Sequence, residues 1–187
     1  VFDFGCGYGS DVIGIAGQYP HLLAHGYTIT PAQAEHASRR IAGTGLRAEV
    51  FNRDSAAVPF PGRYDLVIGI EVACHIEDKD GLFSNVTTAL DDGGQLVLMD
   101  FIANLKGPIA DPKVSVYIPT REGWADLLAR HGFMIDEIID VSREIANGLY
   151  DPDCDANTSA MPEVLRDSWR NWTNNAVAIE KGWVSYC

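Results

Sequence analysis

The first ten residues, VFDFGCGYGS, constrain this chain more than any other stretch. Val1 to Phe4 reads as a short buried strand, and a helix from about Ser10 to Gln18 follows the glycine-rich turn. Glycines at Gly5, Gly7 and Gly9 allow a tight turn and close approach of the backbone to a ligand. The helix N-terminus behind them offers amides to an anionic group. The spacing is G-x-G-x-G, and Ser10 stands where a dinucleotide-binding G-x-G-x-x-G would carry its last glycine. Asp3 precedes the turn, and its carboxylate would be repelled by a pyrophosphate but attracted by an ammonium or sulfonium. The turn therefore points away from a nicotinamide-dependent oxidoreductase and towards a ligand that carries both a cation and a carboxylate.

Short apolar runs then alternate with amphipathic stretches, the pattern of βαβ units on a parallel sheet. Further strands are expected at about Leu22 to Ile29, Arg47 to Asn52, Asp65 to Ile70 and Gln95 to Phe101. A sixth is expected at about Met134 to Val141, and GWVSYC reads as the start of another. Helices are expected from Pro31 to about Ala42 behind Thr30 as N-cap, from about Lys79 to Leu90, and from Thr120 to about His131. DDGG at 91–94 reads as a turn, and Ile102 to Pro119 as irregular. The fold class is α/β: a Rossmann-like, doubly wound, mostly parallel sheet with helices on both faces. Residues 1–187 form one domain, with both ends expected to be cut from a longer chain. Segment 142–182 is a polar insertion, helical in its second half and too short for its own core.

The net charge of −12 and the lack of a basic patch argue against nucleic acid as a partner. No apolar run reaches membrane-spanning length. Cys6, Cys74, Cys154 and Cys187 are widely spaced, with no zinc-type cluster, which fits free thiols in a cytoplasmic setting and no metal.

VFDFGCGYG resembles the first motif of class I S-adenosylmethionine-dependent methyltransferases, and the resemblance runs in order over residues 1 to 141. It implies S-adenosyl-L-methionine as cofactor, held by Asp3, Gly5, Cys6, Gly7, Tyr8 and Gly9. The family's acidic residue for the ribose falls at Thr28, a departure from its commonest pattern. TITPAQ resembles the T-x-S-x-x-Q variant of cyclopropane-synthase-like and natural-product enzymes, which implies Thr28, Ile29, Thr30 and Gln33 near the ribose. NRDSAAVPF matches the third motif and implies Asp54 on the adenine amino group, with Ser55 or Ala56 flanking the ring. YDLVIGIEVACHI matches the fourth, with Glu71 and Val72 at the cofactor. TREGWADLLARHGF and DVSREIANGLYDPD resemble methyltransferase domains embedded in polyketide synthases. That implies a small-molecule acceptor or one delivered on an acyl carrier protein.

Ligands of open α/β sheets bind beyond the carboxyl ends of the strands, which brings Glu71 and His75 to the chemistry. An alcohol acceptor must lose a proton, and imidazole suits the task near neutral pH. His75 is the expected base, with Glu71 either orienting it or acting on substrate. Asp100, Asn104, Asn147 and Tyr150 are candidate acceptor contacts, Glu144, Asn147 and Tyr150 falling on one helical face. Trp169 and Trp172 read as packing residues, and His21, His25, His36 and His131 as structural. The leading expectation is an O-methyltransferase. Carbon or nitrogen methylation, and a cofactor-binding relic without turnover, stay open.

Overall fold

In the computed structural model, the strand before the glycine turn is paired on both sides. Phe2 of β1 (Phe2–Asp3) lies opposite His25 of β2 (Ala24–Thr28) and Val67 of β4 (Tyr64–Ile70), both parallel. With β3 (Ala48–Asn52) and β5 (Leu90–Met99) this gives a parallel sheet in the order β3-β2-β1-β4-β5. The structure describes every residue except Pro152 and Ala160, and every side chain except theirs and those of Asp155, Val164, Ser168 and Trp172. Among the described residues, no helix is long and apolar enough to cross a membrane.

The alternation of apolar side chains winds helices onto both faces. On one, α1 (Ser10–Gln18) and α2 (Pro31–Ile41) close a core of Val12, Ala16, Ala34, Ala37 and Val50. On the other, α3 (Lys79–Ala89) and α4 (Arg121–Arg130) cover Phe2, Phe4, Val67, Leu82, Phe83 and Trp124. Phe2 stacks on Phe60 with ring centroids 4.1 Å apart. Thr120 caps α4 by accepting from the Gly123 N–H at 3.1 Å. Thr30 occupies the N-cap of α2 without a side-chain cap bond, and Pro31 alone sets that helix start.

Three segments differ from their sequence expectation. The ladder of β4 and β5 jumps from Tyr64–Leu90 to Leu66–Gln95, so DDGG bulges out of a strand that already starts at Leu90 instead of forming a turn between helix and strand. The stretch expected to be irregular holds β6 (Phe101–Ala103) and a hairpin of β7 (Ile109–Asp111) and β8 (Val116–Ile118). Residues 134–141 are not a strand: a strand needs a ladder, and the segment makes no paired run, meeting β9 at its end where the Val141 N–H donates to the Tyr186 carbonyl at 3.0 Å. Met134 is accordingly 88% exposed.

Segment 142–182 folds as α5 (Ser142–Leu149), the short α6 (Cys154–Asn157) and α7 (Glu163–Glu180). It packs with β9 (Val184–Tyr186), which pairs antiparallel with β6, around Ala146, Ala176, Ile179 and Tyr186.

The ring of Phe4 lies where a side chain on Gly69 of β4 would stand. Gly69→Ala is therefore expected to overpack the sheet and destabilise the chain by about 1–3 kcal/mol. A lower urea midpoint at unchanged slope is the expected result, and an unchanged midpoint would refute the clash.

Candidate active site

The carboxyl ends of β1, β2 and β4 bring together most of the residues expected to form a site. After β1 the chain turns through Gly5, Cys6, Gly7, Tyr8 and Gly9 into α1. Gly7 (φ 49°) and Gly9 (φ 75°) hold a left-handed conformation that side chains disfavour. A side chain on Gly9 would press on Ala37 of α2, whereas one on Gly7 would meet no protein atom. Gly7 thus faces open space at a helix N-terminus, a cradle with room for a ligand's anionic end. A side chain on Gly5 would strike that of Val72, so the turn and the end of β4 are in close contact.

Asp3 is buried, and its Oδ1 accepts the Gly5 N–H at 2.9 Å. Burial pushes its carboxyl up to about 7, against the lowering effect of that hydrogen bond. Cys6 is a correction: its sulfur is buried against Gly26, and its backbone is engaged within the protein, the N–H donating to the Tyr27 carbonyl at 2.8 Å and the carbonyl accepting from the Gly9 N–H at 2.7 Å. Burial likewise raises its thiol to about 12, so it is no nucleophile. Tyr8 stays half exposed, edge-on to His36.

At the end of β2, Thr28 Oγ1 donates to Gln33 Oε1 at 2.7 Å. That bond engages the Gln33 amide oxygen and leaves its nitrogen as a donor, and Ile29 next to Thr28 is 72% exposed. After β3, Asp54 Oδ1 accepts from the Ala56 N–H at 2.9 Å, which fixes an exposed carboxylate. Ser55 is a second correction: it is buried, and its hydroxyl is committed to the Phe4 carbonyl. Its part is to fasten this loop to the glycine turn. Asn85 of α3 holds the same loop from behind, donating to the Ser55 carbonyl at 2.9 Å and the Ala56 carbonyl at 3.1 Å.

Beyond β4, Glu71 has a positive φ of 51° and donates its N–H to the Met99 carbonyl at 2.8 Å. A 3₁₀ turn, Ala73–His75, presents His75 to solvent. His75 Nδ1 lies 2.8 Å from the Ser115 carbonyl, on the β7–β8 hairpin. Glu71 does not orient the imidazole: its Oε1 accepts from the Tyr186 hydroxyl at 2.7 Å.

Asp100 is buried, with Oδ2 on the Cys74 N–H at 3.1 Å and Oδ1 on the Phe101 N–H at 2.8 Å, so it anchors the His75 turn. Lys79 grips the same turn from α3, donating to the carbonyls of Ala73 at 2.8 Å and Ile76 at 2.7 Å. Burial lowers its pKa, and Asp100 opposes that shift. Asn104 binds Ser185 at 2.8 Å, at the β6–β9 edge. Asn147 is exposed on α5, and Tyr150 lines a cavity with Asp151, Cys154 and Val177. Trp169 donates to Asp151 at 2.9 Å, in keeping with packing, and the Trp172 side chain lies outside the described residues.

Sequence reasoning missed Ser115, Lys79, Tyr186 and Asn85. Lys79 left one signal, a cation in the first turn of a helix, where the helix dipole opposes it. Tyr186 is 115 residues from Glu71 and left none.

Among known proteins, a family profile described as "Methyltransferase domain" matches residues 2–96. Polyketide synthase ThaQ of Burkholderia thailandensis is 54% identical over 100% of this chain, which spans 9% of that synthase. The solved O-methyltransferase of a trans-AT polyketide synthase multienzyme from Brevibacillus brevis, in complex with S-adenosyl-L-homocysteine, is 50% identical with a TM-score of 0.93. It is matched over 100% of this chain and 63% of its own. The StiE O-MT structure is 40% identical with a TM-score of 0.86, over 99% of this chain and 64% of its own.

Asp3 gives this site a stability signature. Its carboxyl is raised from 3.8 to about 7, so its contribution is fully present below about pH 4 and is lost as the pH rises towards 7. Asp3→Asn is expected to gain melting temperature relative to the parent across that window and to hold the gain above it. A gap that does not change with pH would refute the assignment.

Proposed function

The chain belongs to the methyltransferase-domain family, and on that premise we propose that it is an S-adenosylmethionine-dependent O-methyltransferase acting on a hydroxyl of a polyketide-like small molecule or carrier-bound acyl chain. The observation that carries the oxygen assignment is the contact of His75 Nδ1 with the Ser115 carbonyl. A carbonyl only accepts, so Nδ1 holds the proton and Nε2 presents its lone pair. A hydroxyl acceptor needs such a base, whereas a neutral amine does not. The O-methyltransferase relatives at 50% and 40% identity support the same reading.

The residues present fit the cofactor. The glycine turn and the buried Asp3 suit its carboxylate and ammonium, Gln33 beside Thr28 suits the ribose, and Asp54 suits the adenine amino group. Thr28 and Gln33 are a neutral pair where the family usually carries an acid, so this contact lacks charge assistance. When bound, S-adenosylmethionine supplies an electrophilic methyl group on its sulfonium, so the demands on the protein are alignment and proton removal. His75 Nε2 takes the hydroxyl proton as the oxygen is methylated. The Ser115 carbonyl steadies the imidazolium that results. Asp100 and Lys79 hold the turn that carries it.

His75→Ala is expected to lower kcat on the N-acetylcysteamine thioester of 3-hydroxybutyrate by roughly 10²–10⁴-fold. Its calorimetric affinity for S-adenosylhomocysteine should stay unchanged. Full turnover in this variant would remove His75 as the base. Gly7→Arg and Asp54→Ala should each weaken S-adenosylhomocysteine at least about tenfold, near 1.4 kcal/mol. Unchanged affinity in both would refute the cofactor site.

A further inference from the structure

The mechanism above leaves one polar pair unused. Tyr186 is fully buried, yet its hydroxyl reaches Glu71, an exposed carboxylate at the end of β4. Glu71 and Ser115 are the non-glycine residues with positive φ among those described, and the Ser115 carbonyl is the partner of His75 Nδ1. Such a backbone persists only where its surroundings enforce it. For Glu71 the enforcement comes from the Met99 carbonyl on its N–H and from Tyr186 on its side chain.

Tyr186 is itself held from several directions. Its N–H donates to Ser142 Oγ at 2.8 Å, its carbonyl accepts from Val141 N–H at 3.0 Å, and its ring stands edge-on to Phe101. Asp100 and Cys74 also lie near the phenol. The Asp100 carboxylate is spent on two backbone amides, and the buried thiol of Cys74 is pushed up by desolvation. Burial and Glu71 likewise push the phenol upward, so it stays a donor. Glu71 is its acceptor. One carboxylate oxygen is thereby committed and the other is left to the site.

Resting on the reading that His75 is the base, we propose that Tyr186 is a positioning residue that holds Glu71 apart from His75, so that Glu71 takes a hydrogen bond from an N–H or second hydroxyl of the acceptor chain. A carboxylate so held accepts hydrogen bonds and repels anions. It therefore selects acyl chains that offer a donor near the hydroxyl to be methylated. Glu71 and His75 do separate jobs, and no Glu–His dyad forms.

The test uses Tyr186→Phe, Glu71→Gln and the double variant, with the N-acetylcysteamine thioester of 3-hydroxybutyrate as probe. Thioester binding is measured by calorimetry on protein saturated with S-adenosylhomocysteine, and amide hydrogen exchange is followed at Glu71. Each single variant is expected to weaken the thioester about tenfold, as for a lost charge-assisted hydrogen bond. The double variant should be no worse than Glu71→Gln. The loss should fall on KM rather than kcat, and S-adenosylhomocysteine affinity should stay within about twofold. Glu71 exchange should quicken in Tyr186→Phe. Parent-like thioester affinity, or an equal loss of S-adenosylhomocysteine affinity, would overturn the proposal. A parent protein that does not bind the thioester would sink the hydroxyl reading instead, and the positioning role would then stand or fall on the exchange at Glu71.

Discussion

The pairing of β1 with β4 is the contact on which this site depends. Asp3 lies opposite Ile68, and the Phe4 N–H continues the ladder to the Ile68 carbonyl at 3.1 Å. From β1 the chain winds outward through β2 and β3, then crosses back to β4 on the other side. The crevice at such a reversal is where open α/β sheets bind ligands. Without that pairing, the glycine turn and the Glu71–His75 segment would share no edge. With it, Ser55 needs only to reach the Phe4 carbonyl to join the third loop to the first.

The turn that carries His75 buries Ala73 and Cys74 in the two adjoining cores and is held by polar partners from outside. Asp100 takes the Cys74 N–H, Lys79 takes two of its carbonyls, and Ser115 takes the ring. These partners come from the end of β5, from α3 and from the β7–β8 hairpin. A short 3₁₀ segment lacks the internal bonds to fix a side chain, and these attachments supply them. The imidazole itself faces an uncharged carbonyl, with the buried carboxyl of Asp100 on the amide of the preceding residue.

The sheet and its helices were legible because burial on both faces imposes a local pattern. The Val67 and Val97 runs, the Thr30-Pro31 start and the Thr120 cap all announce themselves within a few residues. The glycine turn was legible from its spacing directly after a strand, and the structure places Asp3, Gln33 and Asp54 at the strand ends around it. Segment 134–141 was misread because MIDEIIDV has strand composition, whereas strand structure requires a neighbour. That Asp100 binds the Cys74 and Phe101 amides was not legible, because a sequence shows that an acid ends a strand, not which amides it meets. The Ser115 carbonyl carries no side-chain information, and Tyr186 meets Glu71 only through the tertiary fold.

The contact between Gly5 and Val72 has a consequence for how such a site can diversify. Any side chain at residue 5 would occupy the volume that Val72 fills. A larger residue becomes tolerable there only after Val72 has shrunk, and the reverse order passes through a strained intermediate. Change at the turn and change at the end of β4 are therefore ordered in time. Lineages that remodel the two loops must take the step at residue 72 first, which ties the history of one half of the pocket to that of the other.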